Sequence, residues 1–377
     1  MKILILPCLL FFGTVFSQSY EDLMQEASKN LKAKDYCSAL SNFKNAFPKK
    51  TEIGTYEYAS AASAAASCND PKLAIEWLKK SYGLGLGKDR NEISFLETHE
   101  SLKNIAGDPE FQSLLKDMKQ KLAVKEEAAK KEEDLWNKSI IENQLTDKNP
   151  FQKAPAGFAL YFTDVDGLKV PYLVFVPQNY QPSKPLRAIV YLHGGVNSLD
   201  EFYYKKSEVR TEPIFAAGEQ YNSIIIYPFA KKDFGWMDQP KAFENIFTIL
   251  KDVQKKYNID KKRIYLGGMS NGGTATFWFA SQKETPFKAF FAFAPNPVLN
   301  TGAIDFGNIS TKHPLYTFNA KDDMVFKYET VQKIYDENKS KAKGWDFRTV
   351  EKGSHAFIFD PEVGKNILSD LFSNVLR

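Results

Sequence analysis

Gly268-Met269-Ser270-Asn271-Gly272 stands between a predicted strand and a predicted helix. Before it, Arg263-Ile264-Tyr265-Leu266 is a short β-branched and apolar run, which indicates a buried strand. After it, residues 273–280 have the length and apolar spacing of a buried helix. Gly-x-Ser-x-Gly in a strand–turn–helix setting is typical of a nucleophile elbow, a turn too tight for side chains at its flanks. The stretch therefore predicts an activated Ser270 hydroxyl above the carboxyl edge of a sheet.

The composition is that of a globular protein without a strong excess of either sign of charge. At 377 residues the chain is long enough for about two domains, and its hydrophobic content of 43% is ample for their cores. The net charge is +4, and lysines and arginines are interspersed with acids, so neither a nucleic-acid footprint nor a polybasic membrane patch is visible. The four histidines show no His-Glu-x-x-His spacing, which disfavours a zinc hydrolase, and no metal site is expected.

The N-terminal residues predict an export signal. Lys2 precedes an apolar run from Ile3 to Phe16, and small or modest residues lead up to Ser17. The run is shorter than the roughly 18 apolar residues that a membrane span requires. We therefore expect a signal peptide over residues 1–17, cleaved after Ser17, and an exported protein in the periplasm or outside the cell without a stable membrane anchor. An uncleaved anchor is the alternative.

Two cysteines, Cys37 and Cys68, follow the predicted cleavage site. An exported protein meets conditions that permit disulfides. A bridge between them would contribute about 3–4 kcal/mol in the chain-entropy model. Two unbridged thiols that act as small buried hydrophobes are the alternative.

Residues 18–122 follow a helical pattern rich in alanine, leucine and lysine. Two segments match at a period of about 35 residues, a spacing that resembles tetratricopeptide repeats. The matching positions are Ala39-Leu40, Phe43 and Phe47 in the first segment and Ala74-Ile75, Leu78 and Tyr82 in the second. Such a surface could hold a protein or peptide partner, and an amphipathic cap without a ligand is the alternative. Residues 123–150 predict a charged helical linker.

From residue 151 onward, predicted strands and helices alternate, which favours a mostly parallel sheet flanked by helices. A hairpin comes first, with strands Phe158–Val165 and Leu168–Val176. The buried strands that follow are predicted at Ala188–Leu192, Ser223–Tyr227, Ile264–Leu266, Phe290–Ala294, Leu315–Phe318 and Phe347–Val350. Helices are predicted at Ala242–Tyr257, Glu329–Asn338 and Val363–Leu376.

A serine hydroxyl is a poor nucleophile near neutral pH, so a base must take its proton and a third group must orient that base. Of the four histidines, His355 alone follows a late predicted strand, in a flexible turn that could present its imidazole at the carboxyl edge of the sheet. The acid should follow the preceding strand, where two carboxylates are adjacent. We prefer Asp322, three residues before Val325, and keep Asp323 as the alternative.

Attack on a carbonyl builds negative charge on its oxygen, which two backbone N–H groups must stabilise. Asn271, directly after the serine, is predicted to supply one of them. The second is expected from the glycine loop after the third predicted strand, with Gly195 first and Gly194 second. A glycine turn that merely reverses the chain is the alternative for this loop.

The order Ser270…Asp322…His355 resembles that of serine esterases of the α/β-hydrolase superfamily, in particular feruloyl esterases, acetyl-xylan esterases and polyhydroxybutyrate depolymerases. Residues 257–273, Tyr-Asn-Ile-Asp-Lys-Lys-Arg-Ile-Tyr-Leu-Gly-Gly-Met-Ser-Asn-Gly-Gly, carry most of this resemblance, with the loop His193-Gly194-Gly195 and the spacing Asp322…Val325. The resemblance covers the chain from Phe158 to the C-terminus. It implies an α/β-hydrolase catalytic domain over residues 151–377 and an acyl-enzyme on Ser270 that water releases, with no metal or organic cofactor.

The predicted fold class is thus an α/β hydrolase preceded by an all-α helical-repeat domain. The predicted function is a secreted serine carboxylesterase. Because residues 296–311 are too few to form a large lid, we expect an open cleft, which suits small-molecule or polymer esters. Trp236 and Tyr203 are candidates for stacking on a sugar or phenolic ring, or else they pack over the core. Two further hypotheses are a prolyl-oligopeptidase-type serine peptidase and a helical-repeat binding protein with an inactive hydrolase domain.

Overall fold

The computed structural model describes residues 18–145, 154–299 and 304–377. The predicted signal peptide and residues 146–150 of the predicted linker lie outside the described residues, as does part of the stretch expected to be too short for a lid, residues 300–303. The chain separates into two compact units, the first ending at Lys130 and the second beginning at Lys131.

The first unit is built from helices that pack against their neighbours in sequence. These helices are α1 (Tyr20–Lys32), α2 (Tyr36–Ala46), α3 (Thr55–Ser67), α4 (Pro71–Gly83), α5 (Arg90–Thr98) and the start of α6 (Pro109–Glu142). Asp35 and Asp70, one repeat period apart, begin α2 and α4 in the same way, each accepting a hydrogen bond from the backbone N–H three residues on. The matched apolar residues Ala39, Phe43, Ala74 and Leu78 are buried in one core.

Cys37 in α2 and Cys68 at the end of α3 form a disulfide, with their Cα atoms 5.1 Å apart. Neither cysteine is fully buried, since Cys37 is exposed and Cys68 is half-buried. The alternative of two unbridged, buried thiols is therefore wrong. The bridge ties α2, which carries the first matched segment, to the end of α3, the helix that precedes the second segment.

The second unit is organised around one eight-stranded sheet. Its strands are β1 (Gly157–Val165), β2 (Leu168–Val176), β3 (Leu186–Leu192), β4 (Ile224–Pro228), β5 (Ile259–Met269), β6 (Ala289–Phe293), β7 (Leu315–Ala320) and β8 (Trp345–Val350). The order is β1-β2-β4-β3-β5-β6-β7-β8. The pairs β1–β2 and β2–β4 are antiparallel, whereas β4, β3 and β5 to β8 pair in parallel.

Helices cover both faces of this sheet. They are α7 (Pro213–Gln220), α8 (Pro240–Lys256), α9 (Asn271–Ala280), α10 (Tyr328–Asn338) and α11 (Val363–Asp370). Along β3, Ala188 and Val190 belong to one buried cluster with residues of α8 and α9, while Ile189 and Tyr191 belong to the other with residues of α7 and α11. Burial on both faces explains why the inner strands β4 and β6 are continuously apolar. Because β3 and β5 to β8 run in parallel, the loops after them meet at one edge of the sheet.

Candidate active site

Ser270 lies in the sharp turn between β5 and α9. Its φ of 54° and ψ of −116° place a non-glycine residue in a strained conformation, as a nucleophile elbow requires. A Cβ added to Gly268 would lie 2.5 Å from the Leu192 carbonyl oxygen, and one added to Gly272 would overlap the same carbonyl. The two glycines of the motif are therefore fixed by the close passage of β3 beneath the turn.

His355 follows β8 and reaches the serine. Its Nε2 lies 2.9 Å from Ser270 Oγ, and its Nδ1 lies 2.8 Å from Asp323 Oδ2. The ring of Phe326 packs edge-on against the imidazole, with 5.1 Å between ring centroids. The structure thus brings a hydroxyl, an imidazole and a carboxylate into one hydrogen-bonded chain.

The preference for Asp322 over Asp323 is corrected by this geometry. Asp323 is buried, and its Oδ1 accepts hydrogen bonds from the N–H groups of Val325 (2.8 Å) and Phe326 (2.9 Å), which fixes Oδ2 toward His355. Asp322 is exposed and accepts from the N–H groups of Gly353 (3.2 Å) and Ser354 (2.9 Å). These two backbone bonds hold the pKa of Asp322 below its usual value. Asp322 therefore braces the turn that carries the histidine, and the neighbouring carboxylate contacts the ring.

The loop after β3 lies against the elbow, as expected for the second half of an oxyanion site. Val196 N–H donates to Asn271 Oδ1 (3.0 Å), which ties this loop to the start of α9. A Cβ on Gly194 would be 3.0 Å from Ser270 Cβ, and Gly195 adopts a φ of +70° that favours glycine. Asn271 occupies the first turn of α9, where a backbone N–H has no acceptor within the helix. The structure therefore places Gly194 and Asn271 beside the serine, with Gly195 next to Gly194 in the loop, and the role of these residues as oxyanion donors stays a prediction.

The His193 side chain holds the glycine loop in place through a hydrogen bond to the backbone of that loop. Ala230 N–H donates to its Nε2 (3.0 Å), so Nδ1 carries the proton and donates to the Gly194 carbonyl (2.7 Å). Burial lowers the pKa of His193 to about 4, which keeps the ring neutral near pH 7. Trp236 packs edge-on against this ring and is 1% exposed. The expectation that Trp236 binds substrate is therefore corrected, because its indole supports the loop from inside the core.

Tyr203, the other aromatic candidate, is 41% exposed and lines a pocket of about 250 Å³ that also contains Gly194 and Gly195. Glu212 and Tyr227 line the same pocket, and sequence reasoning missed both. Glu212 precedes the proline that opens α7, and nothing in that local pattern indicates an inward-pointing carboxyl group.

Within the described residues, no group of three or more histidine, cysteine, aspartate or glutamate side chains is arranged to hold a metal ion. The helices of the same part of the chain include none with the length and apolarity of a membrane span.

Among the comparisons with known proteins, one family model covers the elbow. Residues 239–343 match the family model described as the prolyl oligopeptidase family. The chain is 28% identical over 163 residues to the bifunctional acetylxylan esterase/xylanase XynS20E of Neocallimastix patriciarum, covering 42% of this chain and 22% of that protein. It is 26% identical over 179 residues to feruloyl esterase B of Talaromyces funiculosus, covering 44% of this chain and 45% of that protein. The chain thus spans less than half the length of these curated relatives.

A sheet in this order, with its serine elbow after β5 and its histidine after β8, decides the fold. The second unit has the α/β-hydrolase fold. The predicted fold class is confirmed, because an all-helical unit precedes the α/β-hydrolase unit. The assignment of tetratricopeptide-like repeats to the helical unit stays a prediction. Solved structures that resemble the chain include a ferulic acid esterase, with a TM-score of 0.43 and 16% identity over 58% of this chain and 96% of that one. Another is the fluorophosphonate-binding serine hydrolase FphF of Staphylococcus aureus, with a TM-score of 0.46 and 15% identity over 59% of this chain and 100% of that one.

Proposed function

We propose that the protein is a serine carboxylesterase that cleaves carboxylic esters through an acyl-enzyme. The observation that carries this proposal is the continuous chain from Asp323 through His355 to Ser270, with contacts of 2.8 and 2.9 Å. A hydroxyl held against an imidazole whose other nitrogen faces a buried carboxylate is the arrangement that activates serine for acyl transfer.

In the first half-reaction, Ser270 Oγ attacks the ester carbonyl while His355 Nε2 takes its proton. Asp323 accepts the Nδ1–H bond throughout and stabilises the imidazolium that forms. The tetrahedral intermediate collapses as the C–O bond to the alcohol breaks, and the imidazolium gives its proton to the departing alcohol oxygen. In the second half-reaction, a water oxygen attacks the acyl carbonyl while His355 Nε2 takes its proton. The second tetrahedral intermediate collapses as the bond from the acyl carbon to Ser270 Oγ breaks, the imidazolium returns its proton to Oγ, and the carboxylic acid leaves.

The negative oxygen of each intermediate is stabilised by the backbone N–H of Asn271 and by that of Gly195, with Gly194 as the second choice. Both segments are held in place before substrate arrives, since Val196 N–H bonds Asn271 Oδ1 and His193 bonds the Gly194 carbonyl. One such donor contributes roughly 3 kcal/mol to transition-state stabilisation.

The substrates we propose are esters of small molecules or of polymers such as carbohydrates, supported by relatives named as acetylxylan and feruloyl esterases. Peptidase activity is a second candidate, because residues 239–343 match the prolyl oligopeptidase family. A helical-repeat binding protein with an inactive hydrolase domain is a weaker candidate, since the hydrogen-bonded chain of Ser270, His355 and Asp323 is intact. Export and a protein or peptide partner for the helical unit stay predictions from sequence.

The test is steady-state hydrolysis of p-nitrophenyl acetate, of acetyl, butyryl and feruloyl esters, and of a proline-containing peptide anilide. Ser270→Ala should lower kcat on the order of a millionfold, the loss typical of a triad serine. Ser281→Ala, a buried serine at the far end of α9, is the matched control and should retain activity. Undiminished ester hydrolysis by Ser270→Ala would contradict the proposal, and a peptide hydrolysed faster than every ester would favour the peptidase.

A further inference from the structure

The pocket of about 250 Å³ that the glycine loop lines, here called the Glu212 pocket, adjoins the nucleophile through Gly194. Gly194 forms part of its wall and also backs onto Ser270, since a Cβ at this glycine would lie 3.0 Å from Ser270 Cβ. The volume is below the roughly 300–1,000 Å³ of pockets for whole drug-sized ligands. One ring-sized group of a bound ester therefore fits it, and an oligosaccharide does not.

The walls of the Glu212 pocket are mostly apolar and aromatic, with Tyr203, Val209 and Phe229 among them. The charged residues that line it, Glu208 and Glu212, are both acidic. Glu208 is exposed, whereas Oε2 of Glu212 is buried. A ring fits these walls, and a group bearing a carboxylate is disfavoured by like charge.

The Glu212 carboxyl group is only half satisfied. Tyr227 Oη donates to its Oε1 at 3.1 Å. Its Oε2 exposes less than 1 Å² and has no hydrogen-bond partner among the described residues. Leaving such an atom buried and unpaired is unfavourable, and more so when it is charged. Because buried polar atoms are nearly always paired, an acceptor of this kind at the edge of an active site calls for a ligand.

We propose that Glu212 is a specificity determinant that hydrogen-bonds, through Oε2, a hydroxyl group on the ring-bearing part of the ester. This inference rests on the proposed esterase function and names the substrate chemistry of the same site. In this arrangement the ester carbonyl lies at Ser270 and the hydroxyl in the Glu212 pocket, with Gly194 between them, and Oε2, which is covered in the free protein, turns toward the pocket to accept the hydrogen bond.

A neutral hydroxyl suits this carboxyl group better than a cation does. Burial raises the pKa of Glu212 to about 7, so both protonation states are present near neutral pH. A hydroxyl donates to the ionised Oε2 and accepts from the protonated one. An ammonium group has donors only, so it pairs with the ionised form alone.

The experiment compares kcat/KM within matched ester pairs that differ by one hydroxyl. Ethyl 4-hydroxycinnamate against ethyl cinnamate places the hydroxyl on the acyl side, and 2-(4-hydroxyphenyl)ethyl acetate against 2-phenylethyl acetate places it on the alcohol side. The wild type should favour the hydroxylated member of at least one pair by roughly tenfold or more, as a hydrogen bond to a buried carboxyl group implies. The comparison is made above pH 8, where the Glu212 carboxyl group is ionised and Oε2 is an acceptor. There, Glu212→Gln, whose carbonyl accepts from Tyr227 and whose NH₂ stands in place of the acceptor, should lower that preference at least about fivefold.

The controls separate this inference from the proposed function. Glu244→Gln, at an exposed position on α8, should keep the preference of the wild type. Hydrolysis of p-nitrophenyl acetate by Glu212→Gln shows that the variant is folded and that its nucleophile works. With that activity present, equal rates within both pairs, a preference that Glu212→Gln leaves intact, or a stronger preference for a 4-aminomethyl analogue would each overturn the inference alone. Absence of hydrolysis of every ester by the wild type would overturn the inference and the proposed function together.

Discussion

Replacing Asp323 and Asp322 separately by asparagine should give two very different enzymes, although the residues are adjacent and the change is the same. Asp323 contacts His355 through Oδ2, and its Oδ1 accepts from the N–H groups of Val325 and Phe326. Asp322 accepts hydrogen bonds from backbone N–H groups of the turn before the histidine.

The magnitude for Asp323→Asn follows from how this side chain is held. An asparagine must keep its carbonyl on the two backbone N–H groups, because turning the amide around would set its NH₂ against both donors. The NH₂ then faces His355 Nδ1, which must become an acceptor. The proton moves to Nε2, so the imidazole cannot accept the proton of Ser270. The equivalent change in a serine protease lowers kcat about 10⁴-fold, or roughly 5.5 kcal/mol in the barrier.

Asp322→Asn keeps one carbonyl acceptor for the exposed turn and leaves the tautomer of His355 unchanged, so kcat should fall less than about tenfold. The assay is the kcat for p-nitrophenyl acetate of both variants, with circular dichroism to confirm that each is folded. A larger loss for Asp322→Asn than for Asp323→Asn would refute the assignment of the acid.

Three other changes test further parts of the structure. The Glu212 carboxyl group, with a pKa raised from 4.5 to about 7, makes the wild type less stable as pH rises from 4.5 to 8, whereas a glutamine does not ionise. The free energy of unfolding of Glu212→Gln, taken relative to the wild type, should therefore be about 3 kcal/mol higher at pH 8 than at pH 4.5. Urea unfolding at both pH values measures this, and a constant difference would count against it. Reduction of Cys37–Cys68, which closes a separation of 31 residues, should destabilise the helical unit by about 3–4 kcal/mol, and an unchanged melting temperature with dithiothreitol would speak against the bridge. Gly272→Ala should abolish activity or soluble expression, since its methyl group would overlap the Leu192 carbonyl, and an active variant would contradict that packing.

The features that local sequence decides were predictable. The elbow needs glycine at positions 268 and 272 because backbone passes within contact distance, and that constraint is written in the five-residue motif itself. His355 could be chosen because no other histidine follows a strand so late in the chain. The alternation of apolar runs was sufficient to predict the strands that build the sheet.

The features that tertiary contacts decide were not predictable. Which of two adjacent aspartates faces the histidine depends on the N–H groups that bind Asp323 Oδ1, and both residues have the same chemistry. Strand β5 begins at Ile259, five residues before the predicted start. The additional residues include the charged run 260–263, and a charged run lacks the apolar pattern from which a strand is predicted. Trp236 and Glu212 lie in segments whose burial follows from neighbouring loops, so their sequence neighbours carry no signal of it.

The most direct test of the central claim is mass spectrometry of the protein after treatment with a fluorophosphonate, which reacts with an activated serine hydroxyl. We predict one adduct per chain, located on the peptide that contains Ser270, with loss of ester hydrolysis in proportion to labelling and no adduct in Ser270→Ala or His355→Ala. An unlabelled Ser270 in a folded protein, or full hydrolysis after complete labelling, would contradict the account.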